Sequence, residues 1–321
     1  MAPQRSSYTR FFLSFLLCLF LLPNAVVSRD LNGFSLNGAL IPPLEILPGG
    51  PPRDGIPSID HPEFVIPQES DFLKPDDRIL GIVISGTPKA YPIKILNWHE
   101  IVNDTVGDFH FAVTYCPLCG TGVAFSADIL GEHLVFGVSG LLYNSDVLLY
   151  DRKSESLWSQ IMGQAVTGPF KGRRLEMLPL LHTTWDEWRT RYPTTTVLST
   201  KTGFSRDYSR NPYAGYEKST RLYFKISHTP PRTYHQKERV LGIQVGDQFK
   251  AYPFIELNRH GKKKFTDQFG GKRYTIFWNS KNQSGSIRDY TGKEIHTIQA
   301  FWFAWYTFHP ETRVFKAESK N

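Results

Sequence analysis

The sequence predicts a β-rich α+β protein built from two related repeat units that pack as one body, the first carrying an insertion of extra strands. Gly and Pro contribute 25 and 22 of the 321 residues, which favours turns and strands over long helices. Apolar residues make up 40% of the chain and aromatic residues 14%, enough to bury a sizeable core. The third observation is an internal duplication, which defines the two units.

The duplication is clearest in two segments that align without a gap. Residues 77–99 read DRILGIVISGTPKAYPIKILNWH and residues 238–260 read ERVLGIQVGDQFKAYPFIELNRH, with 11 of 23 positions identical. Trp185 and Trp188 also align with Trp302 and Trp305 further along. Each unit is therefore expected to run strand, turn, strand, short helix, strand, strand, helix, final strand.

The first unit is longer than the second. Between Cys119 and His182 there are 62 residues, whereas 16 separate their partners Asn282 and Gln299. The difference is an insertion of about 46 residues, and its composition predicts additional strands. We expect tight turns within it at residues 139–140 and 144–145.

Four segments follow from these observations. Residues 1–28 resemble a secretory signal peptide, because Arg5 and Arg10 precede the apolar run Phe11–Leu22 and small residues permit cleavage before Arg29. An uncleaved N-terminal anchor is the alternative. Residues 29–76 form a proline-rich extended arm, residues 77–237 the first repeat unit with its insertion and connector, and residues 238–321 the second unit.

The expected compartment is extracytoplasmic, periplasmic or secreted. No later stretch is long and apolar enough for a transmembrane span, so the mature chain is expected to be soluble. The net charge of +7 comes from scattered basic residues, which does not indicate nucleic-acid binding. A phosphate loop and a dinucleotide fingerprint are both missing from the sequence, so no nucleotide cofactor is predicted.

The strongest chemical motif is YCPLCGTG at 115–122. Removal of the signal peptide leaves Cys116 and Cys119 in an oxidising compartment, where a metal or a disulfide is expected. The Cys-Pro-x-Cys-Gly pattern is typical of a metal knuckle, in which a tight turn points both sulfurs at one spot. A redox-active dithiol and an inert disulfide that staples the turn remain alternatives.

The two copies differ at the positions that carry this chemistry. The aligned pairs are Cys116 with Asn279, Cys119 with Asn282, His182 with Gln299, and His99 with His260. His99 has a histidine partner although the cysteines have none, so we interpret it as structural and as the second-choice ligand. His182 is the first choice to act with the cysteines. A Cys2His set with an open position would suit one copper or zinc ion.

Other signals are weaker. Asn144, Asp146 and Asp151 could line a polar cleft, although a turn with solvated carboxylates is the favoured interpretation. Ser139 lacks the second glycine that a nucleophile elbow requires, because position 141 is Leu.

Seven segments of the chain resemble one bacterial family, the domain of unknown function 3179. They are GGPPRDGIPSID, KAYPIKILNWHEIVND, TYCPLCGTGVAF, GVSGLLYNSDVLLYDR, ESLWSQ, LLHTTWDEW and SRDYSRNPYAGY. The resemblance implies an exported bacterial protein and brings no established activity. Two functions therefore stay open: a metal or thiol-redox protein, with or without catalysis, and a binding or structural module with a stapled turn.

Overall fold

The computed structural model describes residues 29–318, so the predicted signal peptide lies outside the described residues. The chain is rich in strands and has four short α-helices within this range. This confirms the β-rich α+β class. Among the described residues, no helix combines the length and the apolar character needed to cross a bilayer.

The strands and helices fall into four consecutive groups. Residues 29–76 contribute β1 (Asp30–Leu31), β2 (Phe34–Ser35), β3 (Ile46–Pro48) and β4 (Phe64–Val65), with 3-10 turns at Pro43–Glu45 and Pro67–Glu69. The next group is β5 (Arg78–Ile84), β6 (Thr87–Pro92), α1 (Ile93–His99), β7 (Ile101–Val106), β8 (Phe109–Cys116) and β9 (Thr121–Ser126).

The remaining elements complete the chain. Residues 128–198 hold β10 (Asp128–Ile129), β11 (Glu132–His133), β12 (Phe136–Tyr143), β13 (Asp146–Asp151), β14 (Leu157–Ser159), β15 (Gln164–Ala165), β16 (Met177–Leu178), β17 (Leu181–Thr184), α2 (Trp185–Arg191) and β18 (Thr196–Leu198). The last group is β19 (Arg239–Val245), β20 (Gln248–Pro253), α3 (Phe254–His260), β21 (Lys264–Phe269), β22 (Lys272–Asn279), β23 (Ser284–Arg288), β24 (Ile298–Phe301), α4 (Trp302–Phe308) and β25 (Arg313–Val314).

These strands form one large sheet and several smaller ones. The eight-stranded sheet has the order β25-β20-β19-β24-β9-β8-β7, with β16 added alongside β9. Two five-stranded sheets run β17-β5-β6-β18-β4 and β15-β14-β13-β12-β3, and β21-β22-β23 form a three-stranded sheet. The segment before residue 77 thus supplies an edge strand, β4 or β3, to each five-stranded sheet.

Glycine allows a tryptophan to pack against the first hairpin strand in both halves of the chain. A Cβ atom at Gly81 of β5 would lie 2.3 Å from the ring of Trp188, which is 2% exposed. A Cβ atom at Gly242 of β19 would lie 2.2 Å from the ring of Trp305. Each α-helix that carries the tryptophan is therefore fixed directly on the sheet.

The long β12–β13 hairpin lies in the region where extra strands are expected, and one of its two predicted turns is wrong. Asn144 and Ser145 form a two-residue turn with φ values of 54° and 65°, as a tight hairpin requires. Ser139 and Gly140 do not turn the chain. They form an irregularity inside β12, where the register with β13 shifts between Val138 and Leu141 and Gly140 has φ 72°.

The two halves of the chain exchange neighbours. The strand beside β9 is β24 from the second half, with Gln299 opposite Gly122 and the Phe301 N–H donating to the Cys119 carbonyl at 2.8 Å. In the other direction, Glu187 of α2 accepts hydrogen bonds from Asn279 at 3.0 Å and from Ser284 at 2.6 Å. The site described next therefore lies where the halves meet.

Candidate metal centre and adjoining cleft

The two cysteines lie at the tip of the β8–β9 hairpin. The Cys119 N–H donates to the Cys116 carbonyl at 3.2 Å, and Gly120 follows with φ 61°. Both sulfurs point towards the Ser145 carbonyl oxygen, from which they lie 3.7 and 3.2 Å. Both are free thiols, 2% and 0% exposed, so the disulfide that would staple the turn is not formed. The geometry is that of a knuckle with two convergent sulfurs.

Asp146 joins the two sulfurs. It is the first residue of β13, directly after the Asn144–Ser145 turn, and it is fully buried. One carboxylate oxygen of Asp146 and the sulfurs of Cys116 and Cys119 all lie within 4.8 Å of one another. Oδ2 accepts a hydrogen bond from the Ile161 N–H at 3.1 Å, while Oδ1 has no hydrogen-bond partner among the described residues. Such a buried, unpaired acceptor is costly unless a donor or a cation occupies the space beside it.

Burial disfavours negative charge on all three side chains. It raises the pKa of both thiols above their ordinary value. It also raises the pKa of Asp146 to about 7, against the opposing effect of hydrogen bonds from the Ile161 and Val147 backbone. At neutral pH the two thiols consequently hold their protons and Asp146 is close to half protonated in the metal-free protein, and a bound cation would replace these protons.

His182 does not belong to this group. The described residues bring Asp146, and not His182, within 4.8 Å of both sulfurs. The reason is the exchange of strands: His182 lies on β17 opposite Leu80 of β5, in a different sheet from the cysteines, and β24 of the second half runs beside β9 instead. Neither ring nitrogen of His182 has a hydrogen-bond partner among the described residues, although the side chain is buried and only 6% exposed.

His182 lines a cleft of about 740 Å³ on the other side of the cysteine hairpin. The cleft wall also includes Tyr115 and Pro117, the residues on either side of Cys116. The Tyr115 and His182 rings meet edge to face, with centroids 6.1 Å apart. Burial, followed by the charges of Arg78 and Arg239, holds the pKa of His182 well below its ordinary value, so its imidazole is neutral. The metal group and the cleft therefore lie next to each other along the chain.

Comparison with known protein families identifies one family that matches most of the chain. The sequence profile of a protein family of unknown function, DUF3179, matches residues 53–312. This chain belongs to the DUF3179 family. No curated protein and no solved structure matches it. The matched range includes the cysteine hairpin, Asp146, His182 and the lining of the cleft.

Glu100 is a residue of this DUF3179 protein that the sequence reasoning missed. It caps the C-terminus of α1 with φ 59°, a left-handed conformation that costs energy for a side chain other than glycine. The corresponding cap of α3 is Gly261, with φ 72°. Burial, followed by the charge of Asp146, raises the pKa of Glu100 to about 8. The signal in the sequence is the glutamate that follows His99, whereas a glycine follows the aligned His260.

The Glu100 backbone is tied to the cysteine strand. Its carbonyl accepts a hydrogen bond from the Tyr115 N–H at 2.7 Å, one residue before Cys116. Its side chain is 8% exposed, and its charge acts on the pKa of Cys116. Glu100 is thus a fourth buried acid close to the metal group.

His99 has a different role in the DUF3179 fold. Its Nδ1 lies 2.8 Å from the Pro57 carbonyl and its Nε2 lies 2.7 Å from the Tyr208 hydroxyl. Since a carbonyl only accepts, Nδ1 carries the proton and Nε2 accepts from the tyrosine. Both nitrogens are engaged, so His99 joins α1 to two loops and is not free to bind a metal.

The remaining residues predicted for a polar cleft are structural. Asn144 Oδ1 accepts from the Ser227 N–H at 2.7 Å. Asp151 accepts from the Ser154 N–H at 2.6 Å and from the Trp158 indole at 2.9 Å. Asp146 and Asp151 are fully buried, so the alternative of solvated carboxylates in a turn is wrong. Of the three residues, Asp146 is the one that meets the sulfurs.

A second group of metal-ligating side chains lies on the surface. Asp128 and His133 are opposite each other in the β10–β11 hairpin, and His110 of β8 lies beside them. The two Nδ1 atoms are 3.3 and 3.6 Å from one Asp128 oxygen, and the three side chains are between 32% and 42% exposed. Contact of both imidazoles with one carboxylate accounts for this arrangement without a metal.

Proposed function

We propose that this protein binds a zinc ion at Cys116, Cys119 and Asp146. The observation that carries the proposal is the convergence of these three buried ligand atoms within 4.8 Å. Tetrahedral zinc with bonds of about 2.3 Å to sulfur needs sulfurs about 3.8 Å apart, which falls within that span. Asp146 Oδ1 has no hydrogen-bond partner among the described residues, so it is available as the carboxylate ligand atom.

The donor set favours zinc over copper. Two thiolates and one carboxylate combine soft and hard ligands, which suits zinc, whereas Cu(I) prefers sulfur and imidazole ligands. Ionising all three side chains would place three negative charges in the core, and a divalent cation reduces that total to one. Three protein ligands also leave the fourth position of a tetrahedral ion open, the pattern of catalytic zinc sites.

A redox-active dithiol is less consistent with the surroundings of the sulfurs. Reactive cysteines are partly exposed and have a lowered pKa, often at a helix N-terminus. Here Cys116 ends a strand, Cys119 lies in a turn, and burial raises the pKa of both thiols. Two adjacent free thiols in an oxidising compartment are also better explained by a bound metal than by idle cysteines.

We also propose that the protein is exported and that its two related units arose by duplication. The N-terminal segment supports cleavage near Arg29 and a location outside the cytoplasm. The two related units support a division of labour, in which one unit keeps the chemistry. At the positions of Cys116 and Cys119 the second unit has Asn279 and Asn282, side chains that are poor zinc ligands.

Metal analysis of protein purified from an exported fraction tests the proposal. We expect close to one zinc per chain, and cobalt substitution should give the intense thiolate-to-cobalt absorption band. Cys116→Ser and Asp146→Asn should each weaken zinc binding by more than about a hundredfold, the upper end of the loss seen for residues one shell further out. Asp108→Asn, in the exposed turn before β8, is the control and should leave zinc binding unchanged.

Two results would contradict the proposal. One is protein that contains no zinc as purified and gives no thiolate-to-cobalt band after cobalt addition. The other is an Asp146→Asn variant that binds zinc as tightly as the wild type, which would remove the carboxylate from the ligand set.

A further inference from the structure

The cleft beside the cysteine hairpin has an exposed rim and a buried floor. Asn211, Gly215, Lys218 and His235 are exposed at the rim. The floor is formed by side chains that are at most 8% exposed: Tyr115, His182, Tyr216 and Phe301. With about 740 Å³, it has the size of a small-molecule site.

Positive charge dominates the lining. The lining contains four cationic side chains and one carboxylate, that of Glu217. The cations are those of Arg78, Lys218, Lys237 and Arg239. Arg239 is paired with Glu217 at 2.7 Å, whereas Arg78 and Lys237 form no ion pair within the described residues. The Lys237 ammonium instead donates to three backbone carbonyls, those of Tyr216, Ser219 and Arg221. The cleft therefore holds one buried cation, Lys237, and two half-buried arginines, with a single carboxylate to balance them.

Arg78 and Arg239 also repel each other. After desolvation, the charge of Arg239 is the next cause that lowers the pKa of Arg78, to about 10. The Arg78 guanidinium donates to the carbonyls of His182 at 2.8 Å and Gln283 at 3.2 Å, while its buried Nε has no partner among the described residues. An anion in the cleft would relieve this repulsion.

Two buried polar groups on the floor lack partners as well. Both ring nitrogens of His182 and the hydroxyl of Tyr216 make no hydrogen bond to another described residue. The imidazole and the hydroxyl can each donate one proton to an oxygen. Around them, the rings of Tyr115 and Phe301 offer apolar surface to an organic body.

We propose that the cleft binds a small organic acid. Its carboxylate or phosphate group lies near Arg78 and Arg239 and accepts a hydrogen bond from His182, and its organic body packs against Tyr115 and Phe301. Cations, neutral donors and aromatic surface in one concave site are the features that recognise such a molecule. The site is independent of the metal, because its lining includes neither the cysteines nor Asp146.

Titration calorimetry with benzoate tests the proposal, with benzamide as its neutral analogue. We expect benzoate to bind one per chain and benzamide to bind at least about tenfold more weakly, since a hydrogen bond to a charged group is worth that factor or more. Phenyl phosphate, compared with benzoate, shows whether the cleft prefers a phosphate or a carboxylate. Phenyl phosphate, compared with inorganic phosphate, measures the contribution of the organic body. Chelator-treated protein should bind benzoate as the untreated protein does, so failure of the zinc proposal would leave this one standing.

The ion pair at the rim offers a matched pair of variants. Arg239→Gln and Glu217→Gln break the same 2.7 Å contact but change the charge of the cleft in opposite directions. Arg239→Gln should weaken benzoate binding about tenfold. Glu217→Gln should strengthen it, because it frees the guanidinium and removes the one carboxylate of the lining. A merely structural contribution of the pair would change both affinities alike.

Three results would overturn the proposal. The first is that benzoate, phenyl phosphate and inorganic phosphate all fail to bind. The second is that benzamide binds as tightly as benzoate, and the third is that both rim variants shift affinity in the same direction. Equal affinity for phenyl phosphate and inorganic phosphate would overturn the role of the aromatic floor.

Discussion

Replacing Glu100 by glycine should stabilise the metal-free protein, and by more at neutral than at acidic pH. Burial raises the pKa of this carboxyl from 4.5 to about 8, so the fold binds its proton more tightly than the unfolded chain does. The contribution of Glu100 to the free energy of unfolding is therefore most favourable below about pH 4.5, and it falls as the pH rises towards 8. At about 1.4 kcal/mol per pKa unit, Glu100 costs about 1 kcal/mol at about pH 5 and about 3 kcal/mol at about pH 7.

The backbone adds a smaller contribution that does not depend on pH. Glu100 has φ 59°, and glycine adopts this conformation without the side-chain clash, a gain of up to about 1 kcal/mol. Glu155 provides the control, because it also has φ 59° but is exposed and pairs with Arg53 at the surface. Glu155→Gly should give the backbone gain less the small contribution of its exposed ion pair with Arg53, and it should lack the pH dependence of a buried carboxyl. Glu100→Gln keeps the strain and removes the titration.

Urea unfolding at about pH 5 and about pH 7 measures these differences directly. The chelator-treated Glu100→Gly variant should gain about 2 kcal/mol more at about pH 7 than at about pH 5, and the Glu155→Gly variant should show no such difference. An equal gain at both pH values would refute the reasoning that the buried carboxyl titrates with a raised pKa. A lower free energy of unfolding for Glu100→Gly than for the wild type would also refute the inference that the Glu100 backbone is strained.

Two further predictions concern the scaffold. Tyr208→Phe leaves the buried Nε2 of His99 without its 2.7 Å partner, so it should lower the free energy of unfolding by about 1–3 kcal/mol while zinc content stays unchanged; loss of zinc would contradict the structural role of His99. Gly242→Ala places a Cβ atom 2.2 Å from Trp305 and should cost about 2 kcal/mol or more in urea unfolding, whereas Gly285→Ala, with its nearest atom at 3.2 Å, should cost less.

Local features of the fold were predictable from the sequence because they depend on neighbouring residues. The Asn144–Ser145 turn follows from residue types that tolerate positive φ. The Ser139–Gly140 pair also combines turn-forming residue types, but β12 pairs with β13 on both sides of it, so the pair forms a bulge. Turn propensity alone does not distinguish a chain reversal from a bulge in a long strand.

The site was predictable in part for the same reason. The convergence of Cys116 and Cys119 follows from the short turn between them. Comparison of the aligned segments separated His99 from the cysteines, and it assigned His182 to them on the assumption that each predicted unit pairs with itself. The structure pairs β9 with β24 of the other half, and such long-range exchange leaves no local signal. Asp146 was among the candidate residues, although its burial depends on the packing of β13 over the cysteine hairpin.

The alternation of side chains along β8 separates two kinds of charge. Tyr115 faces the cationic cleft, and Cys116, the next residue, faces the buried acids, because successive residues of a strand point to opposite sides. The acids are Cys116, Cys119, Asp146 and Glu100, while the arginines and lysines lie in the cleft. A cation on one side and an anion on the other would each neutralise its own environment. Bound together, they would lie on opposite sides of a single strand without sharing a ligand, so each site keeps its own protein ligands whether or not the other is filled.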